Sequence, residues 1–148
     1  MTNEIWGSFA KAVSEIHNNN AHHLSYEENY RHAYNLCLHK NGSLLYEGVC
    51  KLIKENLHQM SSQHIIPAFP KGGQDDPVYK SQEGQCLLRA FRKVWEQHIS
   101  SMSKLRDLLK YMVCPIYHLN RYTDYLTGFY RIEHMSQQTV LCLYMKPD

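Results

Sequence analysis

The chain has 148 residues, and 16 Lys and Arg stand against 14 Asp and Glu, a net charge of +2 with neutral histidines. That length suits one domain with a modest core, and 43% apolar with 20% charged residues excludes a disordered tail. The near-neutral charge argues against nucleic-acid and membrane partners, and with no secretory signal and no apolar run near the ~18 residues that span a bilayer, an intracellular protein is expected.

Ile5, Phe9, Ala12, Val13 and Ile16 recur at helical spacing and predict an amphipathic helix over 4–17. Asn18, Asn19 and Asn20 end it, because asparagine competes for the backbone and tolerates the left-handed region. Ser25 then opens a second helix as N-cap, with Glu28 at the third helical position in a capping box. Glu27 and Glu28 also favour the positive end of the helix dipole. This helix should reach about residue 40 or 41, with Gly42 as its left-handed terminator. A third helix over 44–60 carries Leu45, Val49, Leu52, Ile53, Leu57 and Met60 on one side.

Between 61 and 82 the period dissolves at Pro67, Pro70, Gly72, Gly73 and Pro77. The expectation there is an irregular loop of about twenty residues, long for a compact domain, with Ile65, Ile66, Ala68 and Phe69 available to tack it down. A fourth and longest helix is expected over 85–113, its seam being Leu88, Phe91, Trp95, His98, Met102, Leu105, Leu109 and Met112. Such a seam suits the spine of an antiparallel bundle, and Pro115 stops it for lack of an amide donor. Beyond Tyr117, the cluster Tyr122, Tyr125, Leu126, Phe129 and Tyr130 suggests a short helix broken near Gly128, and 139–145 fits a strand or a terminal helix. The fold class expected is all-α.

Chemistry-bearing motifs are few. Cys37, Cys50, Cys86, Cys114 and Cys142 are odd in number and contain no CxxC pair, which is the pattern of idle thiols. His17, His22 and His23, Cys37 with His39, and Cys114 with His118 come nearest to ligand sets. A structural zinc needs four converging ligands, and nothing in this spacing makes these converge, so no metal or cofactor is expected. No phosphate loop, HExxH, GxSxG or cysteine–histidine nucleophile occurs, so the chain does not read as an enzyme. The rival from another class is a small metal-dependent hydrolase using the histidines.

Tyrosine is the anomaly: eleven occur, and Tyr26, Tyr30 and Tyr34 stand at i, i+4 and i+8 on the second helix. Such a stripe is either the buried face or an exposed interface. Ala33, Leu36 and Cys37, with Asn29 as a further candidate, form a competing inner face on the same helix, leaving Tyr26 and Tyr30 on its flank. Rings outside an aliphatic stripe suit an interface, since tyrosine offers large area, few rotamers and a hydrogen-bonding tip. Glu27 and Arg31 pair beside the stripe at i, i+4.

The run LSYEENYRHAYNLCLHKNG over 24–42, followed by Leu45-Tyr46, closely resembles the second helix of the cullin family, in the class that recruits BTB-domain adaptors and is commonly numbered three. Trp95-Glu-Gln-His98, Met102 and the run from Leu105 to Met112 resemble the family's fifth helix, and Trp6 and Ile16 fit its first. The resemblance is colinear over about 4–60 and 86–117. It departs at Tyr26, where the family has Phe, at Asn29, where an apolar residue would staple onto Leu24, and at Pro115 before Tyr117. The segment 58–86 is also longer than the family's.

The resemblance implies an antiparallel bundle of about five helices, a first cullin repeat over 1–118, with 119–148 a diverged segment. It implies a non-catalytic piece of a ubiquitin-ligase scaffold, cytoplasmic or nuclear, whose partners are BTB-domain substrate adaptors. Carried over residue by residue, the adaptor-binding face is Leu24, Ser25, Tyr26, Glu27, Tyr30, Arg31 and Tyr34, with Tyr117 from the end of the long helix. No stretch resembles the RING-recruiting end of a cullin, so RING-subunit binding is not expected. A truncated gene product without function is the remaining alternative.

Overall fold

A computed structural model describes residues 2–72 and 76–109, so Met112, Pro115, Tyr117 and the 119–148 segment lie outside the described residues. Four long helices follow in order: α1 (Thr2–His17), α2 (Tyr26–Leu38), α3 (Gly42–Met60) and α4 (Pro77–Leu109). The expected all-α bundle is borne out, with four helices among the described residues rather than five. Helices α1 and α2 each touch all three others, and α3 reaches α4 chiefly through the turns that follow it. Phe9, Val13 and Ile16 of α1 are fully buried and meet Leu36 of α2, Leu45, Ile53 and Leu57 of α3, and Leu105 and Leu108 of α4 in one core.

Both short interhelical connections close in the same way. At the end of α1, the amide of Asn20 donates to the Glu15 carbonyl and that of Asn19 to Ile16, with Asn19 at φ 58°. At the end of α2, the amide of Asn41 donates to Leu36 and that of Lys40 to Cys37, with Lys40 at φ 61°. These are paired 6→1 and 5→2 bonds that satisfy orphaned helix carbonyls. The asparagine stop of α1 is therefore borne out, but Gly42 is not the terminator of α2. It is the first residue of α3, and Lys40 takes the left-handed turn instead. A Cβ at that φ costs about 1–2 kcal/mol, so Lys40→Gly is expected to stabilise the domain by about 0.5–1 kcal/mol after the added unfolded-state entropy. The urea midpoint should rise with an unchanged slope; an unmoved midpoint would mean that the lysine turn is unstrained.

The loop expected over 61–82 is largely absent. α3 runs on into a wider turn at Ser61–Ile65 and a tight turn at Ile66–Ala68, so that among the described residues of this segment only 69–72 and 76 lie outside helices and turns. Ile65 is the anchor, fully buried, whereas Ile66 and Phe69 are exposed. The early start of α4 has a local cause. Asp76 caps it, its side chain accepting from the Val78 amide at 3.1 Å and its carbonyl from Lys80 at 3.1 Å, and Pro77 occupies the first helical position. Proline there loses a donor that would be orphaned anyway.

The seam of α4 also differs from the expected one. Leu88 is 70% exposed and Trp95 is exposed too, while Val94, His98, Ser101, Met102, Leu105, Leu108 and Leu109 are buried and Leu87 and Phe91 half-buried. The helix offers two parallel apolar stripes, and packing against α1, α2 and the 61–65 turn selects the one through Val94.

Candidate protein-docking face

The face proposed from sequence begins where a tight turn at Ala21–His23 delivers Leu24 in extended conformation, half-buried against the core. Ser25 caps α2 as expected, its Oγ accepting from the Glu28 amide at 3.3 Å. Asn29 is buried, and its side-chain amide donates to the Ser25 carbonyl at 2.9 Å. A hydrogen bond into the cap thus stands where an apolar staple onto Leu24 would stand. Substituting Ser25 would loosen the first turn that holds Tyr26.

From that fixed start the helix sorts its faces as the inner-face argument expects. Asn29, Ala33, Leu36 and Cys37 are buried. Tyr26 is 40% and Tyr34 36% exposed, with Tyr30 half-buried between them. The Tyr30 and Tyr34 rings lie 6.3 Å apart at 34°, close enough to hold each other's orientation. Arg31 donates to Glu27 at 2.6 Å beside them. Both side chains are largely exposed, so the pair adds about 0.3–0.5 kcal/mol at most and serves to lay a charge of each sign along the rings. Leu24, Ser25, Tyr26, Glu27, Tyr30, Arg31 and Tyr34 therefore sit on one end and one flank of a single helix. The eighth residue, Tyr117, lies outside the described residues. One further residue belongs to this geometry: Leu38 is 54% exposed, one turn beyond Tyr34. Its i+4 spacing was the sequence signal.

The groups that the hydrolase alternative requires are dispersed. His22 and His23 face solvent with rings 4.1 Å apart, while His17 is buried in the α1–α4 contact. Cys37 is buried and its neighbour His39 exposed. Burial pushes the Cys37 thiol up to about 11 and raises that of Cys50, which disfavours the thiolate that a ligand or nucleophile needs. Among the described residues no three His, Cys, Asp or Glu gather as a metal would require, and no helix is long and apolar enough to cross a membrane.

Comparison with known proteins agrees with this architecture. Residues 6–139 match the family described as the cullin alpha solenoid domain. The chain is 30% identical to Cullin-3A of Arabidopsis thaliana over 109 residues, which is 74% of this chain and 13% of that protein. It is 30% identical to Cullin-3 of Caenorhabditis elegans over 126 residues, 78% of this chain and 14% of that one. With Cullin-3 of Dictyostelium discoideum the identity is 33% over 107 residues, 72% of this chain and 12% of the relative. The match thus spans about one seventh or less of the length of each relative. The four-helix core, the capped α2 and this similarity over most of the sequence have one reading: the chain belongs to the cullin family, as an N-terminal cullin-repeat domain distantly similar to cullin-3.

Proposed function

We propose that this chain is a non-catalytic docking module that binds BTB-domain substrate adaptors through the outer face of α2. In that role it is a piece of the scaffold of a cullin-RING ubiquitin ligase, acting in the cytoplasm or nucleus in ubiquitin-dependent degradation. The observation that supports this most is the tyrosine series left outside the bundle while the aliphatic face of the same helix fills the core. Two neighbouring, partly exposed rings, tilted 34° to each other, present wide apolar area at little entropic cost. A scaffold contributes proximity rather than bond chemistry. Glu27 and Arg31 flank the rings and would set register rather than affinity.

Titration against a purified BTB domain tests the proposal. Tyr30→Ala and Tyr34→Ala are each expected to weaken binding by about 1–3 kcal/mol, roughly 5- to 150-fold, as anchors near the centre of an interface do. Helix content by circular dichroism should stay that of the parent. If helicity falls in step with binding, the rings belong to the core; if no BTB domain binds the folded parent, the proposal is wrong.

A further inference from the structure

The i+4 series on α2 does not stop at the tyrosines. Tyr26, Tyr30 and Tyr34 are followed after one more turn by Leu38, which is more exposed than either Tyr26 or Tyr34, although its neighbours Leu36 and Cys37 are buried. A large aliphatic side chain turned outward at the end of a line of rings extends the apolar strip instead of standing as an isolated surface residue. The backbone just past it is fixed, because the Lys40 and Asn41 amides are bonded back to Cys37 and Leu36 at 3.0 and 2.9 Å. His39 and Lys40 are both exposed on this turn, and no acidic residue occurs between Glu28 and Glu47. The opposite end of the face carries Glu27 and Glu28. The strip is thus acidic where it begins and cationic where it ends.

We propose that Leu38 is a fourth rung of the docking face, and that it takes an apolar pocket rimmed by carboxylates on the BTB partner, with Lys40 meeting that rim. The proposal rests on the reading of α2 as the adaptor face. The opposite charges at its two ends give the partner one preferred orientation, because reversing it would set like charges against each other.

The experiment is a set of binding isotherms with one purified BTB domain that binds the parent chain, using Leu38→Ala, Lys40→Glu, Tyr30→Ala and, as a control, the exposed Leu88→Ala on α4. Leu38→Ala is expected to weaken binding about tenfold at any ionic strength, as loss of an apolar anchor does. Lys40→Glu is expected to weaken it about tenfold at low salt, with the difference shrinking as salt rises. Leu88→Ala should bind as the parent does. An unchanged isotherm for Leu38→Ala beside a weakened Tyr30→Ala overturns the fourth rung and leaves the tyrosine face standing. A Lys40→Glu variant as tight as the parent at low salt overturns the acidic rim. No loss from either Leu38→Ala or Tyr30→Ala removes the docking reading itself.

Discussion

Acidification from about pH 7 to about pH 4 is expected to lower the stability of the bundle by on the order of 3 kcal/mol through His17 alone, with His98 adding in the same direction. Both imidazoles are buried in the described fold, His17 at the end of α1 and His98 in the middle of α4. Burial, and then the neighbouring His98, lower the His17 pKa to about 4, and burial lowers that of His98. In the unfolded chain each takes up a proton near pH ~6.5. Below that pH the unfolded state binds protons that the folded state refuses, so stability is full above ~6.5 and declines until His17 protonates within the fold. The Gln97 side chain donates to the His17 carbonyl at 3.1 Å, so this site also joins α1 to α4. Urea midpoints between about pH 7.5 and 5 isolate the effect, because carboxylates titrate mostly below ~5. A midpoint falling over that range, with a shallower fall in His17→Gln, is the expected result. A flat midpoint would mean that these histidines protonate freely in the fold.

Gly48→Val is expected to cost about 2–4 kcal/mol, since it collides with a ring instead of filling a space. A Cβ at Gly48 would meet the Trp6 ring, with Cη2, Cζ2 and Cζ3 its three nearest atoms. Trp6 is half-buried against the core and lies 6.2 Å from the buried Phe9 ring, so α1 and α3 approach each other through an indole seated on a glycine. Any side chain there must push the indole out and forfeit its contacts. Ala at the same position costs less, about 1–2 kcal/mol, because removing a mid-helix glycine returns up to about 1 kcal/mol of propensity. The decisive form of the experiment is a cycle. In a Trp6→Ala background the obstacle is gone, and Gly48→Ala should become stabilising by about 0.5–1 kcal/mol. If the sign does not change, the indole is not what Gly48 accommodates.

These cases show which parts of the molecule local chemistry announces. The stripes of α1 and α3 and the Ser25 cap were legible because each follows from spacing or one side-chain bond, and Phe9, Val13, Ile53 and Leu57 are buried as the period requires. The start of α4 was not legible from periodicity, because residues 77–82 are all exposed and no apolar stripe marks them. The Asp76–Pro77 pair was the available signal, masked by the prolines and glycines around it. Which of two stripes α4 buries was undecidable along one helix, because Leu88 and Trp95 keep as good a period as Leu87, Phe91 and Val94, and tertiary contact alone separates them. The seat of Trp6 on Gly48 joins residues far apart in sequence and has no local signature.

The candidate docking face divides in the same way. The flank position of Tyr26 and Tyr30 follows from the competing inner face of Ala33, Leu36 and Cys37, and the exposures of Tyr26 and Tyr34 agree with it. Asn29 was readable as the loss of a staple but not as its replacement, since the amide bond to the Ser25 carbonyl depends on a side-chain orientation set in the folded cap. The proposed BTB partner comes from resemblance alone, because exposed rings on a helix mark a candidate contact without specifying what would make it.

The most direct test of the central claim is amide hydrogen exchange across the folded chain, alone and saturated with a purified BTB domain. Protection confined to the span from Leu24 through Lys40, with the buried seams of α1 and α3 unchanged, is the result expected if the outer face of α2 is the docking surface. Binding that leaves this span as exposed as before, or protects a different helix instead, would contradict it.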